Sequence, residues 1–238
     1  MLARDHALSG LIVWLGAGPA FAQMVHHPLT VEQMLLGAAC ATGAAGLPDL
    51  DEPGSSPARS LGVASQAVSH GIRELAGGHR RATHSIVALC GGLLLTWWAT
   101  GNTAGVRGEA QAVIIGVLCL LAFQMMGPRI VHGHTLAGAA VGAAAGYLAV
   151  THPSVMGVWL MWAFVGGMAA HIAGDALTHG GVPLLWPAKP RLGLHLMKTG
   201  GPLERLLGLA MAIGALVLVL VDFQSLSHIH TATIHLPH

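Results

Sequence analysis

Charge is scarce in this chain. Of 238 residues, 11 are Lys or Arg and 10 are Asp or Glu, 9% in all, against about 25% in an ordinary soluble domain. So few charges exclude a water-solvated surface over most of the chain. A formal net charge of +1 excludes nucleic acid as a partner, because phosphate binding needs a net basic face. Cysteine is sparse too. Cys40, Cys90 and Cys119 each sit in an apolar run without a C-x-x-C pair, which excludes a disulfide framework and leaves them as packing residues. A fixed-period repeat and a low-complexity linker are both absent, so residues 1–238 read as a single domain.

What the chain has is apolar length. Hydrophobic residues make up 53% and the mean hydropathy is +0.64, so lipid is the expected solvent. Spanning a bilayer takes about 20 mostly apolar residues, and seven stretches approach that length, near 7–24, 31–47, 85–100, 110–127, 135–151, 157–176 and 203–221. The expected fold is an all-α, polytopic membrane helical bundle of about seven spans. With a cytoplasmic N-terminus, Arg4, Arg59, Arg73, Arg80, Arg81, Arg129, Lys189, Arg191, Lys198 and Arg205 fall inside and only Arg107 outside. That is the asymmetry of the positive-inside rule. The first segment also reads as a cleaved signal peptide, with Arg4, an apolar stretch and Ala20-Phe21-Ala22 before Gln23. Two connections hold more than a turn. Within 48–84, Leu61, Val63, Ala64, Ala67, Val68 and Ile72 alternate with polar positions as in a short interfacial helix, and 177–202 is a loop punctuated by Pro and Gly. The tryptophans, Trp97, Trp98, Trp159, Trp162 and Trp186 among them, read as core or membrane-interface anchors.

Histidine is over-represented, with 16 copies, and it is the side chain that both ligates metals and moves protons near neutral pH. Three motifs carry it together with aspartate. In Pro48-Asp49-Leu50-Asp51 the two carboxylates point one way if the piece is extended, as hard ligands for a divalent cation; the alternative is a helix-end turn with solvated acids. Gly78-His79-Arg80-Arg81-Ala82-Thr83-His84-Ser85 has H-x4-H spacing, which sets the imidazoles about 140° apart on an ideal helix. Joint ligation therefore favours His79 on a loop and His84 on the first helical turn, with Thr83 as N-cap; otherwise the segment is a polar stretch at the membrane interface. His171-Ile172-Ala173-Gly174-Asp175 places His171 and Asp175 one turn apart on one face, as metal ligands or as a hydrogen-bonded pair that locks two helices. Thr178 and His179 continue that face. In the proposed topology all three motifs, and His6 as well, lie at cytoplasmic helix ends, giving six or seven ligands, a number suited to two ions. His132 and His134 flank the fifth span on the same face, as an interfacial loop or as further ligands. His26, His27 and the tail histidines His228, His230, His235 and His238 belong to the opposite face.

At these residues the chain resembles the YdjM-type inner-membrane proteins, a bacterial family of membrane-bound metal-dependent hydrolases with LexA-regulated members. The resemblance runs through His6, LPDLDEPGS, GHRRATHS, AHIAGDALTHGGVPLLWPAKPRLG and TGGPLER. It implies a metal site shaped by His6, Asp49, Asp51, His79, His84, His171 and Asp175, with Glu204 close by as a general base or further ligand. The chain departs from the family pattern at Glu52, where His is frequent, at Arg81, where Gly is frequent, and at His179. The expected activity is hydrolysis of a phosphoester or other ester of a lipid or membrane-associated substrate at the cytoplasmic face of the inner membrane. One or two divalent ions, Zn2+ or else Mn2+ or Mg2+, would assist, with Asp51 or Glu204 taking a proton and Arg80 and Arg81 receiving phosphate charge. The alternative is a metal or small-solute transporter whose His and Asp line a permeation path.

Overall fold

The computed structural model describes residues 1–24, 26, 28–127 and 133–234, of which 222–234 are described by backbone only. His27, Arg129, His132, His235 and His238 lie outside the described residues, as do the side chains of His228 and His230.

All seven apolar stretches are helical. The helices are α1 (Ala3–Met24), α2 (Val31–Ala44), α3 (Val63–Ala76), α4 (Ile86–Thr100), α5 (Gly105–Met126), α6 (His134–Thr151), α7 (Trp159–Ala176) and α8 (Pro202–Ile234), and no strand occurs among the described residues. Local chemistry sets the ends. Thr30 opens α2 with a capping box: its hydroxyl accepts the Gln33 N–H, and the Gln33 side chain accepts the Thr30 N–H, each at 3.2 Å. The amphipathic stretch of 48–84 becomes α3, which closes on Gly77 in the left-handed region at φ 80°, where glycine lacks the Cβ penalty. Val63, Val68 and Leu75 stay exposed along it and Leu61 just before it, as an interfacial helix requires. α4 starts later than a Thr83 cap would place it. Ser85 takes the N-cap position without a side-chain bond, because the Thr83 hydroxyl donates to Asp51 instead.

Three helices are long and apolar enough to cross a membrane: α1, α5 and α8 as far as Val221. α4 is apolar but has 15 residues, about 22 Å at 1.5 Å per residue, against a hydrocarbon core of about 30 Å. α2 is shorter still, at 14 residues. The Gly- and Ala-rich sequences of α2 and α6 lower hydropathy while allowing helices to approach closely.

That closeness positions the functional region. The buried core lies where α1, α2, α5 and α7 meet, around Trp14, Ala41, Ile115, Leu118, Trp159 and Leu160. α5 and α6 touch backbone to backbone: a Cβ on Gly116 would lie 2.8 Å from the Gly142 carbonyl oxygen. Gly43 of α2 faces the Leu118 carbonyl of α5 more tightly still. With α2 seated this deeply, its C-terminus and the turn after it pack against the end of α7.

Gly43→Ala is expected to destabilise the bundle by about 1–3 kcal/mol through overpacking, which lowers the melting midpoint of the purified protein by several degrees. Gly16→Ala, at a position with open space around it, is the control and should leave the midpoint in place. Equal midpoints for the two variants would show that the α2–α5 contact is not this tight in solution.

Candidate metal centre

Each ligating side chain is placed by a simple local device. α7 carries His171 and Asp175 one turn apart, both fully buried. α2 ends at Ala44, and Pro48 opens a 3-10 turn over Pro48–Asp51, since proline cannot continue the preceding helix. The turn is helical rather than extended, so Asp49 and Asp51 diverge instead of pointing together. Asp49 aims at His84 and His171, whereas Asp51 aims at His79 and Thr83. His79 sits on the loop and His84 in a short 3-10 turn, Ala82–His84. His84 therefore precedes α4 instead of sitting on its first turn.

Four donor atoms converge. His84 Nε2 and His171 Nε2 are 3.1 Å apart. Asp49 Oδ1 lies 3.7 Å from each. Asp175 Oδ2 lies 3.6 Å from His84 Nε2 and 3.7 Å from His171 Nε2. Ligands about 2.0–2.1 Å from a tetrahedral ion stand about 3.3–3.4 Å from one another, so the two imidazoles with either aspartate have nearly the spacing of one coordination sphere.

Hydrogen bonding orients the lone pairs inward. The Ala45 carbonyl can only accept, so His171 Nδ1–H donates to it at 2.6 Å, leaving Nε2 unprotonated in the neutral ring. The Thr83 hydroxyl spends its proton on Asp51, so its oxygen accepts from His84 Nδ1 at 3.0 Å, and His84 Nε2 is likewise left bare. Two nitrogen lone pairs and two carboxylate oxygens then face one another with no proton between them. Asp175 Oδ2 is buried and meets no hydrogen-bond donor. The chemistry of this donor set fits a cation.

The flanks extend the centre. His6, buried in α1, stacks on His171 with ring centroids 3.6 Å apart and has its Nε2 3.4 Å from Asp175 Oδ1. Neither of its ring nitrogens has a hydrogen-bond partner. His79 Nδ1 donates to Asp51 Oδ1 at 2.6 Å, and Asp51 Oδ2 also accepts the Arg80 N–H at 3.2 Å. Three triads could each hold an ion: His6 with Asp49 and His171, Asp49 with His79 and His84, and His84 with His171 and Asp175. They share ligands, so one ion or two neighbouring ions are accommodated.

Electrostatics match. Burial alone would raise the Asp49 carboxyl, but the surrounding imidazoles of His171, His84 and His6 outweigh it and hold the group below the usual carboxylate range. Burial would lower His79, yet the hydrogen bond and charge of Asp51 raise it above its ordinary value.

Of the residues singled out from sequence, His6, Asp49, His79, His84, His171 and Asp175 come together. Asp51 does not join the donor set; it holds His79, Thr83 and the Arg80 backbone. Arg80 bridges, its Nη2 donating to Asp175 Oδ1 at 2.8 Å and its Nη1 to Thr178 Oγ1 at 3.3 Å. The Met1 nitrogen also reaches Asp175 Oδ1, at 2.5 Å. Glu204 is fully buried but outside the triads found among the described residues: Oε1 accepts the Leu2 N–H at 2.6 Å and Oε2 accepts the Gly200 N–H. Thr178 bonds the Asp175 carbonyl at 2.7 Å. His179 is exposed, and His134 packs against Phe123 with centroids 5.1 Å apart. The Ala45 carbonyl, which sets the His171 tautomer, carries no mark in the sequence, since it belongs to an alanine.

A helical protein with apolar spans and a buried His/Asp cluster at its helix ends has the form of an integral membrane protein whose interior could hold a metal ion. The sequence matches the family described as YdjM inner membrane protein over residues 1–230, and the chain belongs to that family. No curated protein and no solved structure matches it.

His171→Ala and Asp175→Asn are each expected to lower bound divalent metal in the purified protein at least tenfold by elemental analysis, since each removes one of four converging donors. His134→Ala should retain it. Metal content that stays level across all three variants would remove the centre assigned here.

Proposed function

We propose that the chain is a membrane-bound metal-dependent hydrolase that cleaves a phosphoester or other ester of a lipid or membrane-associated substrate at the cytoplasmic face of the inner membrane. The observation that carries this reading is the convergence of His84 Nε2, His171 Nε2, Asp49 and Asp175 beside a half-exposed His79 backed by Asp51. His84, His171, Asp49 and Asp175 would hold a divalent ion, zinc suiting the two imidazoles and manganese or magnesium the carboxylates, and such an ion would supply Lewis-acid polarisation of the ester and a water of lowered pKa. The chain's own residues then divide the work. Asp51 fixes the His79 ring by its Nδ1–H, which turns the other ring nitrogen outward as proton acceptor, so Asp51 acts through His79. Arg80 ties the Asp175 carboxylate to the front of the site and offers its remaining N–H, buried and without a partner on Nε, to an oxyanion. Glu204, with both oxygens on backbone N–H groups, serves as a tether between the starts of α1 and α8.

Placement favours hydrolysis over permeation. The donors lie at the C-terminal end of α7 and on the turns after α2 and before α4, whereas a permeation path needs them midway along spans and open from both sides. In this reading the seven apolar helices cross the membrane with Arg107 outside and the loop of Lys189 and Arg191 inside. Single cysteines at positions 103 and 189, labelled in intact cells with an impermeant maleimide, should react only at 103; labelling at 189 would reverse the assigned face.

Metal-loaded protein is expected to turn over at least one member of a panel of phosphoester lipids and soluble phosphoesters, to stop when chelated and to recover on readdition of the ion. His79→Ala should reduce kcat by about 10²–10⁴-fold, the usual contribution of a positioned general base, with bound metal retained. A loaded parent that turns over nothing on the panel would sink the hydrolase reading, although the metal centre would stand.

A further inference from the structure

Arg80 is also a wall of a second space. A cavity of about 290 Å³ opens beside the centre and is lined by Arg80, Arg81, Trp186, Lys189 and Arg191 together with prolines of the same loop. The loop after α7 is folded into a definite shape. Val182 and Leu192 exchange backbone hydrogen bonds at 2.8 Å in both directions, and Leu194 N–H and Leu196 N–H bond the Ala176 and Leu177 carbonyls at the end of α7 at 2.8 and 2.9 Å. This places Lys189 and Arg191 opposite Arg80 and Arg81. Gly180 contributes by omission: a Cβ there would strike Arg80 Nη1. Arg80 itself lies at φ 53°, a conformation rare for a side chain as large as Arg.

The charges around this cavity are unbalanced. Arg80 is committed to Asp175. Among the described residues Arg81 and Lys189 meet no carboxylate, and Arg191 donates only to the Gly180 carbonyl at 3.1 Å. Arg81, Lys189 and Arg191 are exposed, and three such cations around one small space, none of them held by a carboxylate, suit an anion of more than one charge. Size limits what enters, since at about 30 Å³ per water the space holds a phosphate or diphosphate group but no acyl chain. The surroundings supply a place for such a chain. Leu185, Leu192, Leu194 and Leu196 on the same loop are 58%, 47%, 65% and 60% exposed, an apolar rim beside a half-buried Trp186, as at a membrane interface.

We propose that this cavity is a headgroup subsite for a lipid bearing a phosphomonoester or diphosphate, with Arg81, Lys189 and Arg191 binding the phosphate oxygens and the leucine rim seating the hydrocarbon. The proposal rests on the hydrolase reading in one respect: Arg80 joins the subsite to the metal centre, so the bound phosphate lies beside the reacting position. Binding is separable from turnover.

Full-length protein in phosphatidylcholine nanodiscs is titrated with dioctanoyl phosphatidic acid, dioctanoyl phosphatidylcholine, inorganic phosphate and inorganic diphosphate, by calorimetry and with metal content recorded. The expected result is phosphatidic acid bound at least tenfold tighter than the other three. Lys189→Gln with Arg191→Gln should weaken it tenfold or more, and so should Arg81→Gln alone from the opposite wall, since a charge-assisted hydrogen bond is worth about that factor; metal content should not change. Equal binding of phosphatidic acid and phosphatidylcholine, or parental affinity in both variants, overturns the subsite. Inorganic phosphate or diphosphate bound as tightly as the lipid overturns the lipid source and makes the cavity a site for soluble phosphates. If this pattern holds while the panel gives no turnover, the subsite stands and hydrolysis falls. Turnover without any preference for phosphatidic acid gives the reverse.

Discussion

A carboxylate with no exposed surface must be paid for by its neighbours, and Asp175 organises this protein through that requirement. An isolated charge in a low-dielectric site costs several kcal/mol even after relaxation. Here one oxygen takes Arg80, the Met1 nitrogen and the edge of His6, while the other is left facing two imidazole nitrogens. Those demands draw in α1, the turn after α2, the loop before α4 and the loop after α7. The small residues of α2 and α7 then follow as a geometric necessity, because bulkier ones would hold the helices too far apart for the side chains to meet. Packing and polarity therefore solve one problem jointly.

How far the sequence disclosed this differs by residue. The i, i+4 spacing of His171 and Asp175 is visible because a helix converts spacing into a shared face, and the convergence of four motifs follows from counting helices and charges. The turn at Pro48–Asp51 was not legible in the same way. Two aspartates separated by one residue look like a matched pair in an extended strand, yet the 3-10 turn separates them, so that one faces the centre and the other steadies His79. Thr83 looks like a cap and is instead a relay between Asp51 and His84. The Ala45 carbonyl was beyond reach, since every residue has a carbonyl and only the tertiary approach of α2 to α7 selects this one. Span number is legible only in part for a related reason: composition registers apolar stretches, whereas length separates them, and α1, α5 and α8 are long enough to cross while α2 and α4 have 14 and 15 residues.

The short helices and the loop after α7 gain sense together. Helices that end early leave room at membrane level for turns, and the turns carry the chemistry. Irregular backbone is tolerated at that depth only where protein or a wet cavity surrounds it, and the loop supplies such cover by accepting the end of α7 into its own hydrogen bonds. The same loop carries exposed leucines and the cations that line the small cavity beside Arg80.

The Glu204 tether has a consequence for the order of events during synthesis. Its two backbone bonds reach Leu2 and Gly200, so one carboxylate joins a segment that leaves the ribosome first to one that leaves some two hundred residues later. At about 5–20 residues per second, α1 waits on the order of ten seconds or more before that partner exists, and His6 waits with it. Until then the ligand set is open on one side. The α1 side of the His/Asp cluster is thereby the last part of the site to be fastened.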